Sequence, residues 1–126
     1  MVAHVDPVIR TSPRMSDLNM NGNVFGGWVL SQMDIAAGIT AARRAKGPVA
    51  TVAIEAMTFV RPIDVGNVIS CYTEIEKVGR TSIRVNIDVM AQRSGETEEI
   101  KVTEGCFIFV AIDANGRPRD LPEIDD

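Results

Sequence analysis

The chain has 126 residues, of which 45% are hydrophobic and 24% charged, a composition typical of a globular protein with a single core. We expect one domain that spans residues 1–126. Thirteen basic against seventeen acidic side chains give a net charge of −4, which argues against nucleic-acid binding, because that binding depends on clustered cations. The first ten residues lack an apolar targeting segment, and every apolar stretch is far shorter than the roughly 20 residues that cross a bilayer. These features predict a cytoplasmic protein with no nucleic-acid or membrane partner.

Histidine and cysteine limit the chemistry available to the chain. The only histidine, His4, lies in a predicted flexible end, which argues strongly against a histidine-based triad or a multi-histidine metal site within one chain. The two cysteines, Cys71 and Cys106, lie in apolar, strand-like segments without CxxC spacing, which predicts reduced thiols in the core. Catalysis would therefore use carboxylates, amides, hydroxyls or backbone groups.

The first predicted elements are a short strand and one long helix. The strand is expected over Val8 to Met15, where two prolines weaken the pattern, and the helix over Phe25 to Lys46. The helix begins after a turn-forming stretch at residues 19–23 and ends at Gly47-Pro48, with basic residues in its last turn that complement the dipole. Its middle is apolar nearly all round, which predicts a helix buried on every side.

The hydrophobic period changes after the helix, and four strands separated by turns are predicted. Short turns favour antiparallel pairing, so the order of elements predicts an α+β fold in which an antiparallel sheet wraps around one apolar helix. The predicted strands are Val49–Val60, Val68–Lys77, a strand containing Ile83–Val89, and Ile100–Ile112.

Asp34 is unusual because it lies between Met33 and Ile35 in the middle of the apolar helix. Aspartate has poor helix propensity, and burial of its charge is costly without partners. The carboxylate would hydrogen-bond a neighbouring strand, face a wet subunit boundary, or take part in catalysis, since perturbed acids are enriched at functional sites. The residue type alone leaves these alternatives open.

Gly26 and Gly27 lie at the start of the predicted helix, where the first N–H groups have no intrahelical acceptor. Without side chains they let a substrate oxygen approach these amides, as an oxyanion hole requires; the alternative is that they only form a tight turn. Asp34 lies eight residues beyond Gly26, roughly 12 Å along a helix axis, too far for one small group to bridge. An antiparallel helix from a second subunit would bring its own Asp34 close, so a dimer is predicted to assemble the site.

The loop before the helix supplies side-chain amides at Asn19, Asn21 and Asn23. An amide at Asn19 would orient a water molecule or a substrate carbonyl. Asparagines that only form a turn are the common alternative, and the residue type does not decide between the two.

The stretch from Asp17 to Asp34, which includes Asn19 and Gly26-Gly27, resembles the signature of the YciA-type acyl-CoA thioesterases. The resemblance continues through residues 51–62, 78–83, 109–113 and 116–119, so it covers nearly the whole chain in order. It implies a hotdog fold, a curved antiparallel sheet around one long central helix, paired into dimers and further into hexamers as trimers of dimers. It also implies hydrolysis of acyl-CoA to a free carboxylic acid and CoA, a reaction of fatty acid metabolism, without a metal or a separate cofactor, since CoA is part of the substrate.

The resemblance also assigns roles by position. It makes Asp34 the catalytic carboxylate, Asn19 the active-site amide and Gly26 or Gly27 the backbone donor, and Thr51 matches a hydroxyl position near the site. Related hotdog thioesterases carry a hydroxyl residue one helical turn after the acid. Gly38 occupies that position here, so the role is absent or belongs to Thr51 or to water.

Two places are candidates for binding the CoA part of the substrate. The turn formed by Gly79, Arg80, Thr81 and Ser82 offers backbone N–H groups, two hydroxyls and a guanidinium, which together suit a phosphate. The alternative is an ordinary β-turn with a solvated arginine. Arg61 is a second, weaker candidate of the same kind.

The expected mechanism places the thioester carbonyl at the Gly26-Gly27 amides of one subunit, beside Asp34 of the facing subunit. Asp34 acts either as a general base for a water that Asn19 helps to orient or as a nucleophile that forms an anhydride, and the sequence does not separate these routes. One rival is a hotdog hydratase or dehydratase, which needs a histidine where this chain has only His4. The other is a non-catalytic acyl-CoA-binding sensor.

Overall fold

The structure, a computed structural model, describes residues 2–124. The helix and the four long strands predicted from the sequence are confirmed, whereas the N-terminal strand is only three residues long, since the nearby prolines have no N–H for a strand ladder. In none of the described segments is there a helix with the length and apolar character needed to cross a membrane. In chain order the elements are β1 (Ile9–Thr11), a 3₁₀ turn (Met15–Asp17), α1 (Gly26–Ala45), β2 (Val49–Phe59), β3 (Val68–Val78), β4 (Ser82–Gln92) and β5 (Glu99–Ala111).

The strands form one antiparallel sheet in the order β1-β3-β4-β5-β2, and α1 lies across one of its faces. The core fills the space between them. Strand β4 shows how the sequence builds this layer, because Ile83, Val85, Ile87 and Val89 alternate toward the helix and are buried. One helix packed on an antiparallel sheet is the α+β arrangement that the sequence predicts.

The helix is buried on one side only, so the prediction of burial on every side is wrong for the single chain. Met33 and Ala37 face the sheet and are fully buried, whereas Ile35 is 52% exposed. Asp34 is partly exposed. The physical reason is that one sheet covers one face of a helix, and the apolar residues on the other sides remain without a partner in the monomer.

Strand β2 lies at the edge of the sheet and pairs with β5 alone. Its apolar side chains are unusually exposed: Val52 is 57%, Ile54 43% and Phe59 55% accessible. These three residues are here named the β2 edge surface. A long apolar edge is a template for pairing with another strand, so this surface is suited to contact with a second chain.

The N-terminal segment is attached to the sheet face opposite α1, which corrects the expectation that His4 lies in a flexible end. His4 Nε2 lies 2.7 Å from Asp88 Oδ2, and the imidazole ring contacts Tyr72. Asp88 points away from α1, since the residues on either side of it in β4 belong to the core. The imidazole therefore lies across the sheet from Asp34.

Both cysteines are buried and free. Burial raises the pKa of the Cys71 thiol to about 12, and burial is also the main cause of the raised pKa of Cys106. Both thiols therefore remain protonated at neutral pH. Cys71 belongs to the core, as predicted, whereas Cys106 lies outside the core cluster, with its sulfur 3.9 Å from the Glu76 carboxylate.

Candidate active site

Asp34 and Thr51 form the polar pair at the centre of the site. The Thr51 hydroxyl donates a hydrogen bond to Asp34 Oδ1 over 2.6 Å. Thr51 faces α1 because its cross-strand partner on β5 is Phe109, which is buried in the core under the helix. The pair thus joins two residues singled out from the sequence, and Oδ2 of Asp34 has no partner among residues 2–124.

The N-terminus of α1 presents unpaired backbone donors. The helix begins at Gly26, and no side chain from the described part of the chain caps it. The amides of Gly26 and Gly27 have no carbonyl one turn earlier in the helix to accept their hydrogens. A Cβ atom at Gly26 would lie 3.3 Å from Cζ of Phe59, so the absence of a side chain makes room for the Phe59 ring at the helix start.

A cavity of about 320 Å³ opens beside Gly26. Its wall is mainly apolar, and its rim carries Arg61, whose guanidinium donates a hydrogen bond to the carbonyl of Lys101 over 2.8 Å. An apolar cavity next to free amides suits a ligand with an acyl chain and a carbonyl oxygen. The lining residues are Val24, Gly26, Val29, Phe59, Val60, Arg61, Pro62, Ile63 and Thr103.

Asn19 holds the loop before α1. Its side-chain oxygen accepts hydrogen bonds from the backbone amides of Asn21, over 2.9 Å, and Asn23, over 3.2 Å. This is the turn-forming role that was one of the two alternatives. The side-chain NH₂ group has no partner within residues 2–124, so it is the part of Asn19 that remains for a water molecule or a substrate.

The Gly79 to Ser82 turn is a closed hairpin between β3 and β4. The Gly79 N–H donates to the carbonyl of Ser82 over 2.8 Å, so the expectation that this amide is available for a phosphate is wrong. Arg80 pairs with Asp120 over 3.3 Å, and both side chains are largely exposed. The groups that remain for an anion are the Arg80 guanidinium, the backbone amides of Arg80 and Thr81, for which no acceptor is found within residues 2–124, and the hydroxyls of Thr81 and Ser82.

Within one chain the predicted site residues fall into two groups at opposite ends of the sheet. Thr51 shares a cross-strand row with Phe109 and Ile83, close to the 79–82 hairpin. Phe59, which approaches Gly26, shares a row with Thr103 six residues earlier on β5, about 20 Å away along a strand. Asp34, Thr51 and the hairpin therefore lie near one end, and Gly26 and Arg61 near the other.

Sequence reasoning missed Thr103 at the cavity wall, since a threonine within a β-branched strand carries no signal of its own.

Among residues 2–124 there is no group of three or more histidine, cysteine, aspartate or glutamate side chains placed to hold a metal ion.

Comparison with known families identifies the class of protein. The profile of the thioesterase superfamily matches residues 21–98, a segment that contains Gly26, Asp34, Thr51 and the 79–82 hairpin. The chain belongs to the thioesterase superfamily.

Individual relatives cover almost the whole chain. The acyl-CoA thioester hydrolase YciA of Salmonella typhimurium is 47% identical over 118 residues, which make up 91% of this chain and 89% of that protein. The hexameric thioesterase y2039 from Yersinia pestis superposes with a TM-score of 0.91 at 41% identity and covers 97% of this chain and 99% of its own. Cj0915 of Campylobacter jejuni, a hexameric hotdog fold thioesterase, gives a TM-score of 0.89 at 35% identity and covers 94% and 91%. The family resemblance and the hotdog fold predicted from the sequence are confirmed.

Proposed function

We propose that this protein is an acyl-CoA thioester hydrolase, which converts an acyl-CoA to a free carboxylic acid and CoA. The relative named for this activity is 47% identical over 91% of the chain. The observation that carries the assignment to this site is the 2.6 Å hydrogen bond from Thr51 to Asp34. It fixes a carboxylate on α1 with one oxygen free, which suits a group that activates water.

In the proposed reaction the thioester carbonyl binds at the Gly26-Gly27 amides, where the helix N-terminus favours the charge that develops on the oxygen. An oxyanion donor of this kind contributes about 10²–10³-fold to the rate. Asp34 Oδ2 removes the proton from an attacking water that the Asn19 amino group helps to hold, a contribution of about 10²–10⁴-fold. Direct attack by Asp34 to form an anhydride is the second route.

We infer that each site is assembled from two chains. If two β2 strands paired antiparallel about a twofold axis near Ile54, the Thr51 end of one strand would face the Phe59 end of the other. This arrangement brings Asp34 of one chain toward Gly26 of its partner and closes the separation present within a single chain. Hexameric relatives support a homo-oligomer, and a trimer of such dimers is the proposed assembly.

The same arrangement brings the two CoA-binding candidates together. The 79–82 hairpin lies at the Asp34 end of its own chain, and Arg61 lies at the Gly26 end of the other. We propose that Arg61 and Arg80, with the hydroxyls of Thr81 and Ser82, bind the phosphates of CoA. The exposed pair of Arg80 with Asp120 does not prevent this, because exposed ion pairs are weak. The proposed reaction uses no metal or cofactor and takes place in the cytoplasm.

Replacement of Asp34 tests the proposed function. Asp34→Asn keeps the shape of the side chain and should lower the rate of thiol release from acyl-CoA by about 10²–10⁴-fold while the oligomer stays intact by size-exclusion chromatography. Asp6→Asn, at an exposed position, is the matched control and should leave the rate unchanged. Near-normal turnover of the Asp34 variant would refute its role, and a wild-type protein that binds acyl-CoA tightly without releasing thiol would favour the binding sensor.

Mixing two inactive variants tests the shared site. Gly26→Val covers the helix amides, and Asp34→Asn removes the base; each should be inactive alone. In a mixed dimer one of the two sites combines the intact Gly26 of one chain with the intact Asp34 of the other, so co-refolding should restore about a quarter of wild-type activity if the chains pair at random. Absence of recovery in confirmed mixed dimers would place the site within one chain.

A further inference from the structure

The cavity beside Gly26 contains a polar group that the proposed reaction does not use. Thr103 on β5 is fully buried and forms part of the cavity wall. Its hydroxyl Oγ1 has no hydrogen-bond partner within residues 2–124. A buried hydroxyl without a partner is costly and uncommon in folded proteins, so this one calls for a physical explanation.

The surroundings of Thr103 offer it no side-chain partner. Its cross-strand neighbours are Phe59 on β2 and Val89 on β4, and the wall residues Val29 and Ile63 are equally apolar. Arg61, the other lining residue with a polar side chain, donates its hydrogen bond to the Lys101 carbonyl, so within this chain the contents of the cavity are what is left to pair with the hydroxyl. The volume of about 320 Å³ is that of a small-ligand pocket rather than a site for a single water molecule.

We propose that Thr103 is a specificity-determining residue, whose hydroxyl binds an oxygen atom carried on the acyl chain of the substrate. The inference rests on the proposed function, in which the thioester carbonyl lies at the Gly26 amide. The acyl chain then enters the cavity that Gly26 and Thr103 both line. Because a threonine hydroxyl both donates and accepts hydrogen bonds, it pairs with either a hydroxyl or an oxo group on the acyl chain. The favoured substrates are thus short hydroxyacyl-CoA and oxoacyl-CoA thioesters.

A pair of matched exchanges tests this contact. 3-Hydroxybutyryl-CoA and 3-methylbutyryl-CoA differ only by a hydroxyl in place of a methyl group, and Thr103→Val makes the same exchange in the protein. The quantity to measure is kcat/KM for both thioesters, with each enantiomer of the hydroxy compound, in the wild type and in Thr103→Val. The wild-type preference for the hydroxylated substrate should fall about fivefold in the variant, the value of one neutral hydrogen bond. The readout is the ratio of the two kcat/KM values, so a change that affects both thioesters equally does not enter it.

Thr103→Ser and a stability measurement complete the test. Serine keeps the hydroxyl and should keep the wild-type preference, which separates a hydrogen bond from an effect of side-chain shape. Thr103→Val should melt at or above the wild-type temperature, because no hydrogen bond within the protein is lost.

Two results would overturn the inference. One is an unchanged substrate ratio in Thr103→Val while 3-methylbutyryl-CoA is still hydrolysed, which would assign the hydroxyl to a trapped water or to a partner subunit. The other is a clear loss of stability in that variant, which would show that the hydroxyl stabilises the fold through a partner within the protein. A wild type that hydrolyses no acyl-CoA would instead contradict the proposed function itself.

Discussion

Thr51 and Asp34 meet because an edge strand and a helix hold them, although seventeen positions separate them in the chain. The threonine hydroxyl occupies one carboxylate oxygen and leaves the other for water. A hydrogen bond to a charged acceptor is short and directional, so Thr51 fixes the rotation of the carboxylate. In the proposed mechanism Thr51 is therefore a positioning residue for the base.

Removing that hydroxyl should weaken catalysis without harming the fold. Thr51→Val keeps the shape of the side chain, and loss of one hydrogen bond to Asp34 should lower kcat about fivefold to tenfold. The melting temperature should change little, because Thr51 is exposed. Steady-state thiol release is the measurement, and Thr58→Val, at another exposed threonine of β2, is the control. Equal activity of the two variants would show that Thr51 does not position the base.

The site residues differ in how far the sequence reveals them. Asp34 is visible because a charge within an apolar helix contradicts helix patterning. Thr51 could be found only through the family resemblance, since its contact with Asp34 depends on the register of β2 against β5. The bonded amide of Gly79 and the unpaired hydroxyl of Thr103 could not be predicted, because both depend on neighbours that only the folded chain supplies.

At the scale of elements, the C-terminus of α1 is held by a residue far along the chain. Arg119 donates hydrogen bonds to the carbonyl of Ala45, over 2.8 Å, and to that of Ile112, over 2.9 Å. A Cβ atom at Gly47 would lie 2.8 Å from Nη2 of Arg119, so glycine makes room for the guanidinium. The arginine thus ties the end of the helix to the segment that follows β5 and complements the negative end of the helix dipole.

Loss of this tie should lower stability. Arg119→Met keeps the apolar stem and leaves two carbonyls without their charged donor, so the free energy of unfolding should fall by about 1–3 kcal/mol. Urea denaturation followed by circular dichroism would measure the change. Arg117→Met, at a neighbouring exposed position, should be close to wild type. If the two variants unfold at the same urea concentration, Arg119 does not stabilise the end of the helix.

Secondary structure was predictable here because the patterns are strong. The helix stops at Gly47, and the alternation of β4 appears directly in the order of its residues. Strand β1 is shorter than predicted, because strand propensity does not show how few of its residues pair with residues of β3. The β2–β5 register shifts near Ala56, whose φ is 52°. No pattern in the sequence predicts this local geometry.

At the scale of the whole molecule, the wrongly predicted burial of α1 and the exposure of β2 have the same physical cause. Ile35 on the helix and Val52 and Ile54 on the edge strand are exposed. One sheet cannot cover all the apolar side chains of both elements. Apolar patterning reports burial in the final assembly rather than in the monomer. The relatives of this chain include hexamers, and a second chain on the β2 edge surface would bury these residues while completing the site.

A charge at the centre of β2 should separate assembly from folding. Ile54→Lys should disrupt the antiparallel pairing of two β2 strands, because the two lysines would face each other near the twofold axis. The monomer should tolerate the lysine, because Ile54 is 43% exposed. We expect a shift to a smaller species in light scattering, an unchanged circular dichroism spectrum, and loss of at least about 10²-fold in turnover, since Asp34 and Gly26 would no longer meet. Thr97→Lys, on the exposed turn between β4 and β5, controls for the added charge. An Ile54→Lys protein that stays fully assembled would exclude β2 as the interface, and a monomer with full turnover would show that one chain holds the complete site.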